Sequence, residues 1–139
     1  MPSVTGLGER VFGWLHREQK PIVPRAILIA DSNATSRQST QRLVESLGYQ
    51  SILSSSLADA LARLDKDDPD FVLLGFELED ATGLEALGRI RALDPDLAVI
   101  MLAPDLWDNR VAEALRQGAV AYLAKPFGTD DLREVLGRR

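Results

Sequence analysis

The chain has 139 residues, a single histidine, no cysteine and a formal net charge of -5 at pH 7. That length encloses one apolar core, the missing cysteine excludes disulfides, thiolate metal centres and cysteine nucleophiles, and the acidic balance argues against a broad electrostatic grip on nucleic acid. Apolar residues make up 45% and charged residues 27%, the balance of an ordinary folded domain, with no apolar run long enough to span a membrane and no secretion-signal pattern at the start; the expected location is the cytoplasm.

Residues 1–24 stand apart from the rest, and Pro21 and Pro24 mark a linker at their end. Within them Val4, Leu7, Val11 and Trp14 follow three-four spacing, with Phe12 and Leu15 alongside and Arg10, Arg17 and Lys20 on the polar side. That pattern predicts a short amphipathic helix, which has three possible uses: packing on the domain, pairing with another protein, or lying on a membrane surface. Gly6, Leu7 and Gly8 do not form a dinucleotide-binding loop, because no strand precedes them and the third glycine is misplaced. The only histidine, His16, also lies here, so a Ser-His-Asp hydrolase has no support and no enzyme is expected.

From Arg25 onward short apolar runs alternate with helix-period segments, the signature of a (βα)5 doubly wound parallel sheet in a domain spanning 25–139. The first strand is read over 26–30, followed by a helix that Ser32 or Asn33 caps and Gly48 stops. A short second strand covers 50–53. Ser54, Ser55 and Ser56 precede the periodic Leu57, Ala60, Leu61 and Leu64, so they are read as a turn ending in an N-cap rather than as a reactive cluster. The third strand, 71–75, is apolar throughout and suits a sheet centre. A helix over about 84–93 leads to a fourth strand at 98–102. Pro104 ends that strand, and a helix continues to Gln117 and closes at Gly118. The fifth strand is read at 119–123, and Thr129, Asp130 and Asp131 begin the last helix.

In such a sheet ligands gather at the carboxyl ends of the strands, which here carry Asp31, Ser32, Gly75, Ala103 and Lys125. Along 25–139 the sequence resembles the response-regulator receiver family in four blocks that keep their order and spacing: RAILIADSNATSR, PDFVLLGFELEDATGLEAL, VIMLAP and GAVAYLAKPF. The resemblance implies a flavodoxin-like strand order 2-1-3-4-5 and a cis peptide before Pro126. In active receivers two acids after the first strand hold Mg2+, and an aspartate ending the third strand is both metal ligand and phosphoacceptor. A hydroxyl ending the fourth strand and a lysine ending the fifth stabilise phosphoryl oxygens.

Carried onto this chain, the resemblance leaves Asp31 as the first acid, puts Ser32 in place of the second, Gly75 in place of the phosphoacceptor and Ala103 in place of the hydroxyl, and retains Lys125. Tyr122 falls at the aromatic switch position. The expectation is a degenerate pseudo-receiver with no cofactor and no metal, in which Lys125 pairs with Asp31 directly or through water. Glu77, Glu79 and Asp80 follow the third strand and are read as a solvated acidic face, with a replacement acid among them as the alternative. Ala103 is expected to leave room for an inward Tyr122 ring. Trp107, after Pro104, makes the face of the fourth helix, fifth strand and fifth helix the leading contact site for a signalling protein or a second copy. A phosphorylation-independent interaction module is therefore the expected function. The alternatives are a small-molecule sensor using the vacated pocket and a receiver phosphorylated on a non-standard acid.

Overall fold

The computed structural model describes residues 25–137; the helix expected within 1–24, with Leu7, Val11, Trp14 and Leu15, lies outside them. Five strands, β1 (Ala26–Ala30), β2 (Gln50–Ser54), β3 (Phe71–Gly75), β4 (Ala98–Ala103) and β5 (Ala121–Ala124), alternate with five helices. The helices are α1 (Ala34–Ser46), α2 (Leu57–Asp67), α3 (Gly83–Leu93), α4 (Arg110–Arg116) and α5 (Thr129–Gly137). The strands form one parallel sheet in the order β2-β1-β3-β4-β5. β3 and β4 are buried at every residue, which is why their sequences FVLLG and AVIMLA run apolar without alternation: helices cover both faces.

Strand alternation sends side chains to two separate cores. Leu28, Val72, Leu74, Val99 and Met101 pack with Ala60 of α2, Leu87 and Ile90 of α3, and Ala114 of α4. Ile27, Ile29, Leu73, Ile100 and Leu102 pack with Val44 of α1 and Leu132 and Leu136 of α5. Among the described residues no helix is long and apolar enough to cross a membrane.

Local chemistry sets the boundaries. Asn33 caps α1 by accepting from Ser36 N at 2.8 Å, and Ser56 caps α2 by accepting from Asp59 N at 3.1 Å, so the serine cluster does serve as turn and cap. Gly48 and Gly118 follow α1 and α4 with φ of 94° and 109°, the left-handed conformation that ends helices. Lys125-Pro126 is cis.

Four elements depart from expectation at their ends. The helix expected directly after Pro104 starts only at Arg110, because Asp105 accepts from Trp107 N at 2.8 Å and Asp108 from Arg110 N at 2.9 Å; such local turns draw the backbone away from the helix. The fifth strand starts at Ala121 rather than at residue 119, since Ala119 N still bonds to Ala114 O at the end of α4. β2 and β4 each run one residue further than read, to Ser54 and Ala103.

Gly83 ties α3 to the end of β3. A Cβ there would lie 2.4 Å from Gly75 O and 2.6 Å from Phe76 Cα, both backbone atoms that cannot swing aside. Gly88, further along the same helix, has nothing within 4 Å of its would-be Cβ. Gly83→Ala should therefore destabilise the fold by about 1–3 kcal/mol through overpacking, whereas Gly88→Ala should stabilise it by up to about 1 kcal/mol through helix propensity; urea unfolding of the two variants measures both.

Candidate functional site

The carboxyl ends of β1, β3, β4 and β5 bring Asp31, Gly75, Ala103 and Lys125 to one end of the sheet, and Asp31 is the centre of what they form. It is only 4% exposed, and a carboxylate removed from water needs donors for its oxygens and a compensating positive charge. Oδ1 accepts from Asn33 N at 3.0 Å, while Oδ2 accepts from Ser36 Oγ and from Lys125 Nζ, each at 2.8 Å. The expected ion pair is thus direct. Arg37, one residue on from Ser36 in α1, donates Nη1 to the Asp31 carbonyl at 2.8 Å and fixes the backbone of the same turn.

Gly75 leaves the Asp31 carboxylate room to sit close over the end of β3. A Cβ at residue 75 would sit 3.1 Å from Asp31 Cγ and 3.3 Å from Oδ1, tighter than ordinary van der Waals contact. The carboxylate of Asp31 therefore occupies the space above Gly75. Ala103 is fully buried beside β5, and Lys125 N bonds to Ala103 O at 2.8 Å. Ser32 contributes its backbone, N donating to Glu77 O at 3.1 Å.

The loop after β3 is held just as firmly. Asp80 reaches across to the start of α2, where its carboxylate accepts from Leu57 N at 2.6 Å and Ala58 N at 3.1 Å. These two bonds hold its pKa below the ordinary aspartate value. The acid is committed to capping a neighbouring helix, with Glu77 and Glu79 exposed on either side of Leu78. On the other flank Arg110 forms a two-pronged pair with Asp108, at 2.9 and 2.6 Å, and lies 4.5 Å from the centre of the Phe76 ring. Hydrogen bonding from Arg110 lowers the Asp108 pKa.

Tyr122 lies on β5, the edge strand of the sheet. The residue is 38% exposed. Trp107, 87% exposed in the loop between β4 and α4, is not core. Sequence reading placed Asp31 and Lys125 together and took Asp80 for part of a solvated face, where it caps α2 instead, but missed Ser36, Arg37 and Arg110. Ser36 and Arg37 look like routine helix residues, and only the tertiary fold brings Asp80 to α2.

A scan of family models matches residues 27–137 to the response regulator receiver domain. Among curated proteins, the chain is 30% identical over 111 residues to chemotaxis protein CheY of Listeria monocytogenes, covering 79% of this chain and 93% of that protein. It is 32% identical over 110 residues to transcriptional regulatory protein ZraR of Salmonella typhimurium, covering 79% of this chain but 25% of that longer protein. Among solved structures it resembles the receiver domain of a Pseudomonas aeruginosa sensor histidine kinase determined with a magnesium ion coordinated in its active-site cleft, at 25% identity and a TM-score of 0.76, over 84% of this chain and 97% of that one. The residues here do not fit such an ion. Mg2+ takes near-octahedral oxygen ligands including carboxylates, whereas Asp31 is the one carboxylate of this set and already accepts from three donors, one of them an ammonium.

Two outcomes follow from these contacts. Lys125→Ala leaves Asp31 buried without its counter-charge and should cost about 2 kcal/mol, discounted for the partial exposure of the ammonium; adding Asp31→Ala should recover part of that loss in a denaturation double-mutant cycle. Because the folded pKa of Asp80 is depressed, its contribution to stability is present above the ordinary aspartate pKa and is lost as pH falls through the folded value. The difference in melting temperature between the wild type and Asp80→Ala should accordingly narrow on acidification through that range.

Proposed function

The chain belongs to the response regulator receiver domain family of two-component signalling, and on that premise we propose that it is a pseudo-receiver, a protein-interaction module that works without phosphorylation. In this reading Gly75 stands where a phosphoaccepting receiver has its aspartate, Ser32 where it has a second acid and Ala103 where it has the hydroxyl. Glycine offers no nucleophile toward phosphorus.

The observation that carries the proposal is the 2.8 Å pair between Lys125 Nζ and Asp31 Oδ2, set in the space a side chain at residue 75 would need. Lys125, which would otherwise meet a phosphoryl oxygen, is occupied by the protein's own carboxylate. Asp31, Gly75 and Ala103 are all buried, so the place is filled from within. Communication then runs through the surface around α4, β5 and α5, where Trp107 and Tyr122 supply the amphipathic aromatic groups that anchor protein contacts. A signalling protein or a second copy is the partner class, with no direct role for nucleic acid.

Incubation of the chain with acetyl phosphate and Mg2+ tests this. The intact mass and the tryptophan emission should both stay unchanged, at phosphodonor concentrations that modify a phosphoaccepting receiver run alongside. A stoichiometric phosphoryl adduct would overturn the reading.

A further inference from the structure

A groove of about 520 Å3 runs between α1 and the loop that follows β5. Ser36, Ser39 and Thr40 of α1 line one wall, and Lys125, Pro126 and Phe127 line the other. Spacings of three and four place the three hydroxyls on one face of α1, the face that a helix packed on an apolar neighbour would fill with apolar side chains. The Ser36 hydroxyl proton is already given to Asp31 at 2.8 Å. Thr40 is different: it is 2% exposed, yet its hydroxyl has no hydrogen-bond partner among the described residues. Among those residues Arg91 Nε is the one fully buried side-chain atom without a partner, so the Thr40 oxygen keeps contact with the groove. A hydroxyl withdrawn from water without a partner is costly, and here it is held facing a recess of the size and mixed character that small molecules fill.

The charges around the groove select the ligand. Lys125 is the charged residue of its lining, and that ammonium is answered by Asp31 at 2.8 Å. No carboxylate is among the described lining residues, in contrast to the groove along β5, which carries Asp131. An anion would have to contend with Asp31 for the ammonium, and a cation would meet that ammonium at close range. An uncharged molecule avoids both costs. The Thr40 and Ser39 hydroxyls can each donate and accept, which matches an edge carrying both kinds of group, while Pro126 and Phe127 offer ring surface to a flat body.

We propose that this groove binds a small uncharged planar heterocycle with a donor and an acceptor on its edge, a nucleobase or a molecule of that class. The ring lies against Pro126 and Phe127 and the polar edge meets Thr40 and Ser39. The site is separate from the space over Gly75, which the Asp31 carboxylate fills. Ser36 and Lys125 belong both to the groove and to the partners of Asp31, so an occupant is felt at the ion pair.

Titration of the isotope-labelled chain with uracil, hypoxanthine and nicotinamide at millimolar concentration tests this, with benzoate and inorganic phosphate as anionic controls. At least one of the three should shift the amide signals of Ser39, Thr40 and Phe127 saturably, and Thr40→Val should weaken that binding by about threefold to tenfold. Because the hydroxyl it removes has no partner in the fold, Thr40→Val should melt no lower than the wild type. Ser39→Trp, at an exposed position, should abolish the shift at Phe127 while leaving the spectrum of β1 and β3 intact. Silence from all three heterocycles, shifts centred elsewhere, saturable binding in the groove by the anions alone, or a lowered melting temperature for Thr40→Val would each overturn the proposal. None of these outcomes bears on whether the chain accepts a phosphoryl group, which the intact mass reports separately.

Discussion

A carboxylate buried at the end of a sheet must be answered by donors and charge, and Asp31 is answered from four directions at once. Lys125 approaches from the end of β5, 94 residues away, Ser36 from the first turn of α1, Asn33 from its own loop, and Gly75 gives way beneath. Removing an ammonium or a hydroxyl from such a set leaves the carboxylate short of what water would have supplied. The pair therefore joins the two ends of the sequence across the top of β1, β3 and β4. The surrounding loops are arranged to suit it: Arg37 pins the Asp31 turn, and Ser32 N reaches the loop after β3.

That loop and its neighbour are held by the protein's own side chains. Asp80 ties the segment after β3 to α2, Gly83 lets α3 close directly onto Gly75 O, and Arg110 lies over Phe76 while gripping Asp108. Asp80 with α2 and Arg110 with Phe76 join segments distant in sequence, so the loops around Asp31 form one connected rim. A rim fastened in this way accords with a module that presents a constant surface.

Much of this was legible in the residues. Uninterrupted apolar runs located β1 and β3 to the residue, because a strand buried on both faces leaves no alternation to misread. Asn33, Ser56, Gly48 and Gly118 are local signals and did what local signals predict. The misreadings lie where side chains overrule propensity or where the contact is long-range. Asp105 and Asp108 capture backbone N–H groups and delay α4, and Ala119 remains bonded into the end of that helix. At the site, Asp31 and Lys125 could be paired by position, whereas Ser36 reads as a routine helix residue and Asp80 meets Leu57 across a separation of 23 residues that no local spacing encodes.

The strand order has a further consequence for how the chain keeps out of aggregates. The segments richest in β-forming apolar residues, FVLLG and AVIMLA, sit inside the sheet, while the edges are β2, with its Gln50, Ser51 and Ser54, and β5, four residues long and ended by Lys125 and Pro126. A short edge closed by a cation and by a residue without an N–H is a poor template for a foreign strand. If β5 came away, β4 would become the edge, and its apolar backbone would be free to recruit another chain. Lys125 therefore guards more than Asp31, since the pair that closes the site also holds the last strand over the sheet's most adhesive neighbour.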